Sequence, residues 1–289
     1  MLAPDILLSA VLNGLMTGAI YALVAVGLTL VYGVLHIINF AHGAILSAAL
    51  FAAYFAWTAG IDPYVALIGL APVFFALGYA AQRFVISPAS HGEDQNVLLV
   101  TLGLAIVIEN ALLTAFHSDT RSIDVPYGFA SVDLGLVFLP LPRVLAFTVA
   151  CLVSAGLWFF LHHTDMGKAI RAVSKERYGA TLVGIDVPHV YAVTFGIGAA
   201  CLAVAACLLL PSYYVNPRVG EAYVLVAFTV VVFGGMGSVP GALIGGLLVG
   251  VIESITGLFF GESLGQLGIF VLFIVILLLR PTGLFGARA

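Results

Sequence analysis

The sequence predicts an all-α polytopic membrane bundle of eight or nine spans, with broken or re-entrant helices and an internal repeat. Three observations predict it. Of the 289 residues, 62% are hydrophobic and 8% are charged, against about 25% charged in a soluble chain. So much apolar surface requires an apolar solvent. The apolar residues fall into nine runs separated by short polar breaks. Two of those breaks, one near each end of the chain, read alike.

The runs are Ile6–Tyr32, Ala41–Trp57, Tyr64–Phe84, Val97–Phe116, Val144–Leu161, His189–Leu210, Tyr223–Phe233, Ala242–Phe260 and Leu264–Leu279. Lipid admits only helices and closed barrels, because every backbone polar group must be paired. The runs lack the alternation of barrel strands, so they are helices. Ala41–Trp57 and Tyr223–Phe233 fall near or below the ~17 residues that a span needs. Each lies beside a Gly/Asn/Pro-rich break and reads as a broken or re-entrant helix. The length suits one membrane domain, residues 1–289. Asp5 is the only charge before the first run. A cleaved signal wants a basic lead-in, so Ile6 onward reads as a retained span.

Gly14/Gly18, Gly241/Gly245 and Gly246/Gly250 have the GxxxG spacing of helix contacts, in this chain or with another. Cys151, Cys201 and Cys207 lie in apolar runs without metal-ligand spacing and read as packing residues. The net charge of −4 gives no footprint for nucleic acid.

Orientation follows the basic residues. Lys168, Arg171, Lys175 and Arg177 cluster in one stretch, and Arg280 and Arg288 lie at the end of the sequence. Both regions are expected in the cytoplasm, with Arg83 and the His91–Asn96 loop. The N-terminus and the Ser118–Arg143 connection are then outside.

The first break runs from Thr29 through Tyr32-Gly33 to Asn39-Phe40-Ala41-His42-Gly43. The second runs from Thr229 through Phe233-Gly234-Gly235-Met236-Gly237-Ser238-Val239-Pro240-Gly241. Paired interruptions in the two halves of a transporter point to a solute path between repeats. Asn39, Phe40, His42, Gly43, Gly234, Gly235, Gly237, Ser238 and Pro240 are therefore the candidate pathway residues. The other reading is two ordinary glycine-rich cytoplasmic turns. Glu109, Asn110 and Glu253 fall inside apolar runs, where charge is costly. They either face a cavity or reach water at the outer helix ends. His42 reads as a hydrogen-bonding interior residue more readily than as a proton carrier.

Asp165 to Arg177 reads as an amphipathic helix, capped by Asp165 and stopped by Gly179. Lys168, Arg171 and Lys175 share a face, beside a small apolar face of Ala169, Ala172 and Val173. Such a helix suits docking on another protein or simple topology signalling. Gly167-Lys168 lacks the other parts of a P-loop, so any ATP must bind another chain.

Several stretches resemble the branched-chain amino-acid permeases of ABC importers. They are Gly27–Gly33, Ile38–Gly43, Leu99–Leu104, Met166–Ala172, Phe233–Gly246 and Arg280–Gly286. No cofactor and no catalytic site are expected in this chain. The resemblance implies a second homologous permease, two cytoplasmic ATP-binding subunits and a periplasmic solute-binding protein, in a bacterial inner membrane. It also implies that residues 165–186 form a cytoplasmic coupling segment, carried by Gly167, Lys168, Arg171, Ala172, Lys175, Glu176 and Gly184. Many relatives carry an acidic or polar residue after the HisGly pair, and this chain has Ala44, which weakens the transfer of a polar pathway role to that position. The same superfamily handles urea, short-chain amides and aromatic acids. A rival reading is a stand-alone transporter coupling protons through Glu109, Glu253 or His42. A membrane enzyme is disfavoured, because no nucleophile, base or metal set clusters in the sequence.

Overall fold

The computed structural model describes residues 4–90, 94–133, 135, 137–279 and 283–285. Arg280, Pro281, Thr282, Gly286, Arg288 and residues 91–93 of the expected loop lie outside this set.

Each of the nine apolar runs forms a helix. They are α1 (Pro4–Leu35), α2 (Ala41–Thr58), α3 (Pro63–Ala80), α5 (Asp94–Phe116), α6 (Leu141–His163), α9 (Val187–Leu209), α10 (Val219–Gly234), α11 (Val239–Phe260) and α12 (Gly265–Leu279). Seven are long and apolar enough to cross a membrane, whereas α10 and α12 are shorter apolar helices. The helix α3 continues through a π-turn, Ala81–Ile86, into the short α4 (Ser87–Ser90). Two further helices, α7 (Asp165–Lys175) and α8 (Arg177–Leu182), follow α6.

The bundle has two ends. One carries α7 and α8 and is called the basic end here. The other carries residues 117–133 and 137–140, including a small antiparallel hairpin of β1 (Ser131–Asp133) and β2 (Phe138–Pro140). Arg121 pairs with Val215 in a β-bridge, and the Tyr127 hydroxyl donates to Asp62 at 2.8 Å. Burial and that carboxylate hold the Tyr127 phenol above its ordinary range. The first helix starts at this loop end and the residues 283–285 lie at the basic end. There Leu284 N donates to Phe233 O at 2.8 Å and Phe285 N to Gly234 O at 3.2 Å. These bonds fill two of the carbonyls that a helix leaves unpaired at its C-terminus.

Small residues set the core. Gly14 and Gly18 of α1 meet Gly246 and Gly250 of α11. A Cβ on Gly14 would come within 2.7 Å of Val251 Cα, and one on Gly18 within 2.6 Å of Gly246 O. The two GxxxG faces are thus partners within one chain, and they let antiparallel backbones touch. Gly245 packs in the same way on Val230 and Gly234 of α10. Cys201 and Cys207 are buried packing residues of α9.

The basic segment differs from its sequence reading at both ends. Thr164, not Asp165, caps α7, its side chain accepting from Gly167 N at 3.0 Å. Asp165 instead pairs with Lys168 at 2.9 Å, which holds its carboxyl below the usual range. The helix ends at Lys175, and Glu176 then caps α8. Gly179 lies inside α8, and the turn falls at Gly184, whose φ of 88° is open to glycine at little cost.

Candidate functional site

Break 1 leaves α1 at His36, which holds the left-handed conformation at φ 57°. Residues 36–40 then carry the chain back along α1 before α2 begins. His42 marks the depth reached: its Nε2 lies 3.0 Å from the carbonyl oxygen of Val24. That carbonyl is eleven residues, about 16 Å, before the end of α1. Thus α2 starts well inside the bundle, as a broken helix. Asn39 Oδ1 accepts from Ala41 N at 3.0 Å, and both Asn39 and His42 are buried. Asn39 Oδ1 and His42 Nε2 are thus engaged by the fold. Phe40 is exposed, and Gly43 is buried against Gly220 of α10.

Break 2 lies at the basic end. Gly234 and Gly235 are buried, and Gly235 and Gly237 hold φ of 96° and 85°. Ser238 caps α11 by accepting from Gly241 N at 3.1 Å, with Pro240 in the first turn. Gly237 packs against Gly33 of α1. Gly33 follows Val24 by nine residues, or two and a half turns, so it faces the opposite way. The two breaks therefore flank α1 on opposite faces and at different depths. No described cavity holds both. Break 2 instead lines a cavity of about 320 Å³ in which Gly237, Ser238 and Pro240 face Thr29, Arg171 and Ser174. The structure thus joins part of the expected pathway set to part of the expected coupling set.

Within the coupling segment, Lys168, Arg171, Lys175 and Glu176 are exposed and Gly167 is buried against the end of α6. Val173 and Ile170 are turned into the bundle, whereas Ala169 and Ala172 are half-buried beside them. The outward apolar surface is Tyr178, Leu182 and Val183, each at least 70% exposed.

A larger cavity, about 850 Å³, opens toward the loop end. From α1 it takes Ser9, Asn13, Thr17 and Tyr21, spaced by four along one face. Arg143, Tyr213, Tyr223, Glu253 and Ser254 line the rest. The sequence reading singled out only Glu253 of these. The polar positions at 13, 17 and 21 inside an apolar run were the available signal. The floor at Tyr21 lies one turn from Val24 on the same face of α1, so His42 sits just beneath this cavity. Glu109 is elsewhere, ion-paired with Arg218 at 2.9 Å.

Comparison with known proteins agrees with this architecture. The permease protein BraD of the high-affinity branched-chain amino acid transport system of Pseudomonas aeruginosa is 36% identical over 96% of this chain and 95% of its own length. The corresponding LivH protein of Escherichia coli K12 is 31% identical over the same shares of both chains. A chain of PsaBC from Streptococcus pneumoniae, solved in complex with a Fab, shares the fold with a TM-score of 0.51. It is 16% identical, and the match covers 94% of this chain and 92% of that one. Residues 10–279 match the family described as branched-chain amino acid transport system / permease component, and the chain belongs to that family.

Proposed function

We propose that this chain is the membrane-spanning permease subunit of an ATP-binding-cassette importer that carries branched-chain amino acids from periplasm to cytoplasm. The family match over residues 10–279 carries the reading. The relatives' printed function and their near full-length coverage support the substrate class. The partners are a second homologous permease, two cytoplasmic ATP-binding subunits and a periplasmic solute-binding protein. The membrane is the bacterial inner membrane.

The basic end is the cytoplasmic end, because Lys168, Arg171, Lys175 and Arg177 gather there. That puts the N-terminus outside and the C-terminus inside. Residues 165–186 dock on an ATP-binding subunit. The cavity shared by Arg171, Ser174 and Ser238 supports a direct link from that docking segment to break 2. The path descends from the upper cavity past Tyr21 to His42, Asn39 and Phe40, with Gly43 allowing close approach of α10. Gly234, Gly235, Gly237, Ser238 and Pro240, on the other face of α1 and in a separate cavity, are assigned to its inner gate, which the solute reaches only if the two cavities join during turnover. Backbone outside helical geometry at membrane depth needs protein or water around it, and both breaks have such surroundings.

The test is uptake by proteoliposomes holding both permeases and the ATP-binding subunits, with the binding protein supplied outside. Leucine, isoleucine and valine should accumulate only with ATP and the binding protein. Accumulation by this chain alone, driven by a proton gradient, overturns the proposal. Uptake confined to urea, amides or aromatic acids overturns its substrate class.

A further inference from the structure

Among the described residues the upper cavity is lined by one carboxylate and one guanidinium, and neither is paired with an opposite charge. Glu253 comes from α11 and Arg143 from the first turn of α6, and both are half-buried on the cavity wall. Among the described residues the ion pairs are Lys168–Asp165 and Arg218–Glu109. Glu253 and Arg143 are thus linked neither to each other nor to another described charge. The Arg143 guanidinium donates to Asn13 Oδ1 at 3.1 Å, which fixes its position without neutralising it.

Charges within an apolar bundle are costly unless they face a partner or a water-filled space. Here two opposite charges face the same space and stay apart. A solute that carries both charges complements them, and a zwitterionic amino acid is such a solute. Beside Glu253, whose carboxylate accepts a hydrogen bond from the Tyr21 hydroxyl, Tyr21 and Tyr223 meet edge to face with ring centroids 5.9 Å apart. Their rings give an apolar surface, and both residues are largely buried.

We infer that the upper cavity is a receiving site for a zwitterionic α-amino acid. Glu253 accepts the ammonium group, Arg143 donates to the carboxylate, and an aliphatic side chain lies against Tyr21 and Tyr223. The inference rests on the importer reading and adds to it the residues that meet the solute first. The cavity is far larger than one amino acid, so both charge contacts form in the presence of water. Such a site is weak by design of its surroundings. Weak capture suits a solute handed over by a binding protein and passed on toward His42.

The complete transporter in proteoliposomes tests this, with labelled leucine and loaded binding protein. Glu253→Gln and Arg143→Gln should each cut leucine uptake about tenfold or more, the loss of one charge-assisted hydrogen bond. Each should still reach the membrane and co-purify with the partner permease. A second measurement does not depend on either charge. Gln266→Cys, in a background lacking the native cysteines, places a thiol on the cavity rim. Its reaction with a water-soluble thiol reagent should slow at least threefold when leucine is present at saturating level. Wild-type uptake matched by both charge variants, or thiol labelling that leucine leaves unchanged, overturns the inference alone. A wild-type complex that hydrolyses ATP but imports no amino acid overturns the importer reading instead.

Discussion

Gly43 and Gly220 touch backbone to backbone where α2 and α10 begin, and Gly220 N donates to Ser47 Oγ at 3.0 Å. A Cβ on Gly43 would fall 2.6 Å from Gly220 O. Neither backbone can yield without moving its helix. Gly43→Ala and Gly220→Ala should therefore each cost about 1–3 kcal/mol, the usual range for forced overpacking. Gly103→Ala, with nothing within 4 Å of the added carbon, should be neutral or slightly stabilising because alanine favours helix. Thermal unfolding in detergent measures all three. Equal melting temperatures would mean that α2 and α10 separate freely.

The coupling segment gives a second prediction. Arg171→Glu combined with Ala172→Asp should leave insertion intact and abolish co-purification with the ATP-binding subunits. Tyr178→Ala and Leu182→Ala, on the outward apolar surface, should weaken it as well. Retained binding in all of these variants would leave the segment as a topology signal only.

Thiol labelling separates the two breaks. Ser238→Cys should react in the resting complex, because its position lines an open cavity. Asn39→Cys and His42→Cys should stay unreactive at rest, since both positions are buried. They should become reactive during turnover with ATP and loaded binding protein. Silence at all three positions in both states would make the breaks packing turns and put the path elsewhere.

Glu109 should be dispensable for transport. Its partner Arg218 is 67% exposed, and such pairs contribute at most about 1 kcal/mol. Glu109→Gln should import leucine at close to the normal rate. A large loss, together with lost proton dependence, would favour a stand-alone proton-coupled transporter.

Much of the architecture was readable along the chain, because helices in lipid announce themselves by continuous apolar runs. The glycine faces at 14/18 and 246/250 were also readable, although only the folded chain shows that they meet each other. Depth was not readable. That α2 starts beside Val24 follows from a contact between His42 and a carbonyl eighteen residues earlier, and no local pattern encodes it. The basic helix is legible from its charge spacing, but its cap is not: Thr164 accepts from the third following amide and so outcompetes Asp165. The upper cavity is not legible in the sequence because α1, α6, α10, α11 and the stretch around Tyr213 each supply only one or a few of its polar residues. Only the spacing of Asn13, Thr17 and Tyr21 hinted at it.

The contact of residues 284 and 285 with the end of α10 has a bearing on biogenesis. Phe233 and Gly234 leave the ribosome long before Leu284 and Phe285 do, so their carbonyls wait without these partners. The turn between α10 and α11 is completed only when residues 284 and 285 fold back against it. Damage to that late segment exposes two carbonyls inside the bundle, at about 1–3 kcal/mol each if buried and unpaired. Quality-control proteases would then find a defect at a region more than forty residues upstream of the lesion.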